Sequence, residues 1–144
     1  MTEAQTQDLS ACADCLCLAS RRAARTITRA FDAMLRPHGL RATQFTLLAL
    51  LELKGPQSIG DLAEALGAER TTLTRNIARI EEQSLVSSRP GDDPRARIVS
   101  ITPKGRKLLT KAFPAWRKAQ SELTARIGQP LADNLRQLAR SRRL

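Results

Sequence analysis

Residues 58–83 read SIGDLAEALGAERTTLTRNIARIEEQ, and the apolar rhythm inside them decides the fold. Ser58 is a good N-cap residue, and Leu62, Ala63 and Leu66 mark the inward side of a short helix over residues 59–66. Gly67 permits a tight turn. A second helix over residues 70–83 then turns Leu73, Ile77 and Ile80 inward, leaving Arg70, Thr71, Thr72, Arg75, Asn76 and Arg79 outward. Two short helices around a glycine turn make a helix-turn-helix unit, whose second helix enters the major groove of DNA. The outward residues suit that task. Arginine pairs with guanine or phosphate, asparagine with adenine, and threonine methyls meet thymine. Thr74 belongs to the same candidate contact set.

Downstream, residues 85–89 and 97–101 have strand character, and Pro90-Gly91-Asp92-Asp93-Pro94-Arg95 between them is rich in turn formers. A hairpin directly after a recognition helix is a wing. Arg95, near its tip, is placed for the minor groove, where narrow A·T-rich stretches attract arginine. Arg97 joins the candidate DNA-contact set.

Upstream, an apolar stripe at Cys17, Ala24, Ile27, Phe31 and Met34 predicts a helix from about 15 to 36, ended by Pro37-His38-Gly39. Thr43 is expected to cap a mostly buried helix over residues 44–53, which Lys54-Gly55-Pro56 stops. After the wing, Thr102 and Pro103 predict another helix start. That helix carries Leu108, Leu109, Phe113 and Trp116, and Pro114 is expected to kink it. A last helical segment holds Leu123, Ile127, Leu131, Leu135 and Leu138, is interrupted around Gly128-Gln129-Pro130, and ends at Arg136, Arg140, Arg142 and Arg143. Residues 1–10 are polar, lack periodicity and are expected to be disordered.

The expected architecture is mainly α with a small β-hairpin wing. An N-terminal tail and first dimerisation helix span 1–36, the winged helix-turn-helix 37–105, and C-terminal dimerisation helices 106–144. Terminal helices with wide apolar stripes outside a compact reading head imply a homodimer. Its two recognition helices would then lie about 34 Å apart on a near-palindromic operator.

Composition supports these expectations. The 144 residues contain 24 Lys and Arg against 14 Asp and Glu, a net charge of +10, which suits a polyanionic partner. Aromatic residues are only 3%, so the core must be aliphatic. No run approaches the ~18 apolar residues of a membrane span. The N-terminus lacks the pattern of a secretory signal, so a cytoplasmic protein with no membrane partner is expected. One histidine, with no Ser-His-Asp arrangement, no Gly-rich phosphate loop and no HExxH, argues against an enzyme, and no cofactor or metal is expected. The rival reading within DNA binding is a nucleoid-type architectural protein without strong sequence preference.

The block Ser58 to Gly67, then Glu69 to Arg75, Leu85-Val86, Asp93-Pro94-Arg95 and Ile101-Thr102-Pro103-Lys104-Gly105 resembles the reading head of MarR-family regulators. The resemblance extends over about residues 15–140. It implies a triangular homodimer, recognition by the 70–83 helix, and minor-groove insertion by Arg95, with Asp93 steadying that arginine. Many members have arginine where this chain has Pro94, which removes one possible phosphate contact. The resemblance also implies a repressor released either by a small phenolic or aromatic acid or by oxidation of a cysteine.

The chain's three cysteines, Cys12, Cys15 and Cys17, fall within six residues and admit three readings. Cys17 can be a buried small hydrophobe on the apolar stripe. Cys15 and Cys17, with Cys12, can be an oxidation switch at an exposed helix start near Arg21 and Arg22. The three thiols can also hold a metal together with His38. Cys15-Leu16-Cys17 looks like the sensing position of organic-hydroperoxide regulators of the family, but those use tyrosines and this chain has none. For a small-molecule effector, Arg21 or Arg25 could pair with a carboxylate, and Phe45, Leu48 and Trp116 could form an apolar wall.

Overall fold

The computed structural model describes residues 8–141, so the expectation of disorder over residues 1–7, and the basic residues Arg142 and Arg143, lie outside the described residues. A short 3-10 turn, Ser10–Asp14, leads into α1, Leu16–Leu35. The Asp8 carboxylate caps this turn: it accepts the Ser10 amide at 2.9 Å, and that backbone bond, followed by the Ser10 hydroxyl, holds Asp8 below the usual carboxylate range. A second 3-10 turn, Arg36–His38, ends at Gly39 with φ 70° and turns the chain into α2, Ala42–Lys54. The first turn of α2 takes its cap from a distance. Asp32 of α1 accepts the Ala42 amide at 2.7 Å, and Gln44 reaches back to the Arg41 amide at 3.0 Å. Thr43 therefore lies inside the helix, and the sequence-based cap at that residue is corrected.

The chain continues through β1, Gln57–Ser58, α3, Ile59–Leu66, and α4, Arg70–Glu82. Ser58 caps α3 by accepting the Asp61 amide at 3.1 Å, as its position predicts. β2, Val86–Pro90, and β3, Arg97–Ile101, form the hairpin, followed by α5, Pro103–Ile127, and α6, Gln129–Arg140. Thr102 caps α5 by accepting the Gly105 amide at 3.0 Å. α5 runs through Pro114 as one helix, and Gly128, φ 86°, breaks the chain before α6.

The sheet is antiparallel in the order β1-β3-β2. Val86 pairs with Ile101 and Pro90 with Arg97 across the hairpin, while Gln57 pairs with Val99. β1 was not anticipated, because two residues carry no periodicity. It adds a third strand that roots the wing in the reading head.

The core is aliphatic, as the composition requires. Leu35, Leu47, Leu48, Leu51, Leu62, Ile80, Leu85, Val86 and Val99 are its fully buried large side chains. All four aromatic residues gather although they are scattered along the chain: Phe31 of α1, Phe45 of α2 and Phe113 of α5 lie 6.4, 5.8 and 5.6 Å, centroid to centroid, from Trp116. Such pairs add about 0.5–1.5 kcal/mol each beyond area burial.

The corner between α4 and the wing is clamped onto the start of α5. Ser84 takes a left-handed conformation, φ 61°, and its carbonyl accepts the Thr102 hydroxyl at 2.6 Å. Lys104 donates to the Gln83 carbonyl at 2.9 Å. Gly105 packs so closely that a Cβ there would sit 2.1 Å from the Leu85 carbonyl oxygen. Backbone cannot yield as a side chain can, so Gly105→Ala should cost about 3 kcal/mol, the upper end of overpacking penalties. Urea denaturation measures this, and an unchanged midpoint would contradict the clamp.

Candidate nucleic-acid interface

α4 divides as its sequence predicts. Leu73, Ile77 and Ile80 are buried, while Arg70, Thr71, Thr72, Thr74, Arg75 and Arg79 are exposed. The helix thereby presents three guanidinium groups from a rigid base. Two members of the expected contact set are partly engaged elsewhere. The Thr74 hydroxyl bonds back to the Arg70 carbonyl at 2.8 Å, and Asn76 is half-buried on the flank facing α1 and α2.

At the wing tip, the Asp93 carboxylate accepts the Arg95 backbone amide at 2.9 Å, and the Ala96 amide donates to the Asp93 carbonyl at 2.9 Å. Asp93 thus shapes the turn that carries Arg95 and leaves the Arg95 side chain exposed. Arg97 behaves differently from Arg95. Its guanidinium donates to the Ser88 hydroxyl across the hairpin, which ties part of its donor capacity within the protein. Arg97 is therefore first a brace of the wing.

A cavity of about 550 Å³ opens between α1, the start of α2, the end of α3, α4 and α5. Phe31, Leu66 and Trp116 supply apolar wall; Arg41, Arg75 and Arg79 supply positive charge, and no carboxylate lines it. An aromatic ring bearing an acid group matches that lining. Of the residues expected for an effector pocket, only Trp116 lines this cavity. Phe45 and Leu48 are buried core, with Phe45 stacked on Trp116 where α2 packs against α5. Arg21 and Arg25 are exposed on an earlier stretch of α1, away from the cavity wall. Arg41, Arg75 and Arg79 were missed as pocket residues because they come from elements that meet only in the tertiary fold.

Cys12, Cys15 and Cys17 are all exposed. The expectation that Cys17 is a buried small hydrophobe is corrected: the stripe it belongs to faces outward along the first half of α1. Among the described residues no group of three or more His, Cys, Asp or Glu side chains is placed to hold a metal. The Cys15 amide donates to the Cys12 carbonyl at 3.2 Å, so one 3-10-type turn separates these two thiols. A rise of ~2.0 Å per residue sets their Cα atoms near 6 Å apart, within the ~4.4–6.8 Å span of a disulfide. Apolar side chains are also exposed at both ends of the chain, with Leu16 82%, Leu131 48% and Leu138 51% accessible. No helix among the described residues is long and apolar enough to cross a membrane.

Known proteins share this arrangement. Residues 40–96 match the model of the MarR family. An uncharacterized HTH-type transcriptional regulator, YwoH of Bacillus subtilis, is 32% identical over 104 residues, covering 72% of this chain and 76% of its own. The M. tuberculosis transcriptional regulator MosR in complex with DNA superimposes with a TM-score of 0.78 at 41% identity, over 87% of this chain and 93% of that one. A second MosR structure gives a TM-score of 0.75 at 40% identity, over 87% and 95%.

Two substitutions separate positioning from reading. Arg95→Ala should weaken binding at every site and flatten the dependence of affinity on salt, since it removes a cationic contact. An unchanged salt slope would count against the wing. Arg75→Ala should cost about 1–3 kcal/mol and relax preference at particular base pairs, as binding to a set of single-base operator variants would report. A uniform loss over all variants would assign Arg75 to phosphate instead.

Proposed function

The chain belongs to the MarR family of DNA-binding transcriptional regulators, and from that premise we propose that it is a homodimeric repressor of a near-palindromic operator. The observation that carries this reading is the joint presentation of exposed arginines on α4 and of Arg95 at the wing tip. A single protomer offers one recognition helix and one wing. Two protomers related by a two-fold axis offer two of each to successive turns of DNA.

The second copy is supplied by the terminal helices. Leu131, Leu135 and Leu138 of α6 share one face, and Leu16 and Leu18 project from α1. Leu16 is largely exposed and the other four are about half covered, so completing their burial gains about half to all of the ~1.5–3 kcal/mol that a fully buried leucine contributes. In the dimer the exposed stripe of α1 becomes interface, and the N-terminal cysteines lie close to it.

Release from DNA has two supports on this chain. The cavity joins α1 and α5 to α4, so an aromatic acid paired with Arg41 or Arg79 would touch the recognition helix itself. The exposed Cys12 and Cys15, one turn apart, support the oxidative reading. A hydroperoxide would convert one thiolate to sulfenic acid with release of the alcohol. The second thiol would then displace water to form the disulfide.

Gel shifts on the DNA upstream of its own gene test this reading. The reduced protein should bind as a dimer, and Leu135→Asp should yield a monomer with binding weakened by at least about tenfold. Loss of binding after organic hydroperoxide, restored by dithiothreitol and absent in Cys12→Ser with Cys15→Ser, supports the thiol switch. Release by an aromatic acid from the oxidant-insensitive double mutant supports the cavity. A Leu135→Asp dimer of full affinity would contradict the interface.

A further inference from the structure

The edge of the wing holds a carboxylate that simple electrostatics would place elsewhere. β2 is an edge strand, so its outward backbone groups have no neighbouring strand to bond. Ser88 pairs with Val99 on one side, and on the other its amide meets Glu81, the residue after the fully buried Ile80 on α4. Glu81 Oε1 accepts the Ser88 amide at 3.0 Å and the Ser88 hydroxyl at 2.8 Å. The Ser88 oxygen in turn accepts from the Arg97 guanidinium on β3. One carboxylate oxygen of the recognition helix thus anchors both strands of the hairpin, through groups that are themselves half-buried or paired.

We propose that Glu81 is a positioning residue for DNA binding: through Ser88 and Arg97 it fixes the wing, and with it Arg95, relative to the recognition helix. This rests on the reading of Arg95 as a minor-groove contact. A clamp that meets two grooves at once binds tightly only if its two arms are held at the right separation beforehand; a loose wing loses that freedom on binding and weakens the complex. The chain Arg97 to Ser88 to Glu81 supplies the stiffness. Each hydroxyl role is satisfied, one bond donated and one accepted, and partial shielding from water strengthens the series.

The sign of the effect distinguishes this role from plain electrostatics. Glu81 is an acid beside a polyanion, so deleting its charge should tighten binding if it does nothing else. The proposal requires the reverse. With a labelled operator duplex followed by fluorescence anisotropy, Glu81→Ala and Ser88→Ala should each weaken binding about fivefold to tenfold. Ser88→Thr, which keeps a hydroxyl, should recover most of what Ser88→Ala loses, and Glu81→Gln, which keeps an acceptor, most of what Glu81→Ala loses. In an Arg95→Ala background, Glu81→Ala should add less than about twofold, because the wing no longer has a contact to position. Binding by Glu81→Ala that equals or exceeds the unsubstituted protein overturns the proposal, as does full additivity with Arg95→Ala. If Arg95→Ala itself leaves affinity and salt slope unchanged, the wing reading has failed and the proposal falls with it. Should Glu81→Ala lower the melting temperature by more than about 5 °C, the Ser88 pair decides the question alone.

Discussion

The orientation of α4 depends on three side chains, Leu73, Ile77 and Ile80, that are buried in the aliphatic core where α4 packs against α3 and β2. A helix that presents arginines to DNA must hold a fixed angle while carrying strong like charge on its outer face. Burial of the inner stripe supplies that rigidity at about 1.5–3 kcal/mol per side chain. The remaining devices of the reading head hang from this one contact. Ser58 caps the start of α3, Gly67 turns the chain between α3 and α4, the Ser84–Thr102 bond ties the corner after α4 to the start of α5, and Glu81 holds the wing to the helix flank.

A second constraint links the reading head to the long helices. Trp116 of α5 meets an aromatic ring from α1, another from α2 and a third one turn earlier on its own helix. Phe31 and Trp116 form part of the same cavity wall that Arg75 and Arg79 of α4 close from the other side. Residues of α1, α4 and α5 thus line one space, and an occupant there would touch α4 directly. A ligand that binds the DNA-incompetent arrangement better can shift the population only by that difference in affinity. Arg41, Arg75 and Arg79 give that wall its positive lining.

Local chemistry made much of this legible. The Ser58 and Thr102 caps, the inner stripe of α4, the hairpin and the Gly128 break each follow from residue type and spacing within one or two turns. What sequence could not reveal was settled by partners far along the chain. Asp32, ten residues upstream, moves the start of α2 from Gln44 to Ala42. Val99 recruits Gln57 into a strand too short for any periodic signal. Register across the hairpin turns Arg97 toward Ser88. The cavity is built from five helices, so apolar spacing along the chain points instead to Phe45 and Leu48, which are core. Cys17 lies at the exposed start of an apolar stripe that is covered within its own chain only from Ile27 onward, so periodicity alone predicted a burial that one protomer does not provide.

The most direct measurement is selection from a pool of random duplexes with the full-length reduced protein, followed by affinity measurement on the winners and on the starting pool. The account predicts one near-palindromic motif with half-sites about 10–10.5 base pairs apart, bound at least ~1,000-fold more tightly than the pool. A pool that stays without a motif, bound with one salt-dependent affinity throughout, would contradict sequence reading by α4 and mark the protein as a binder of DNA backbone alone.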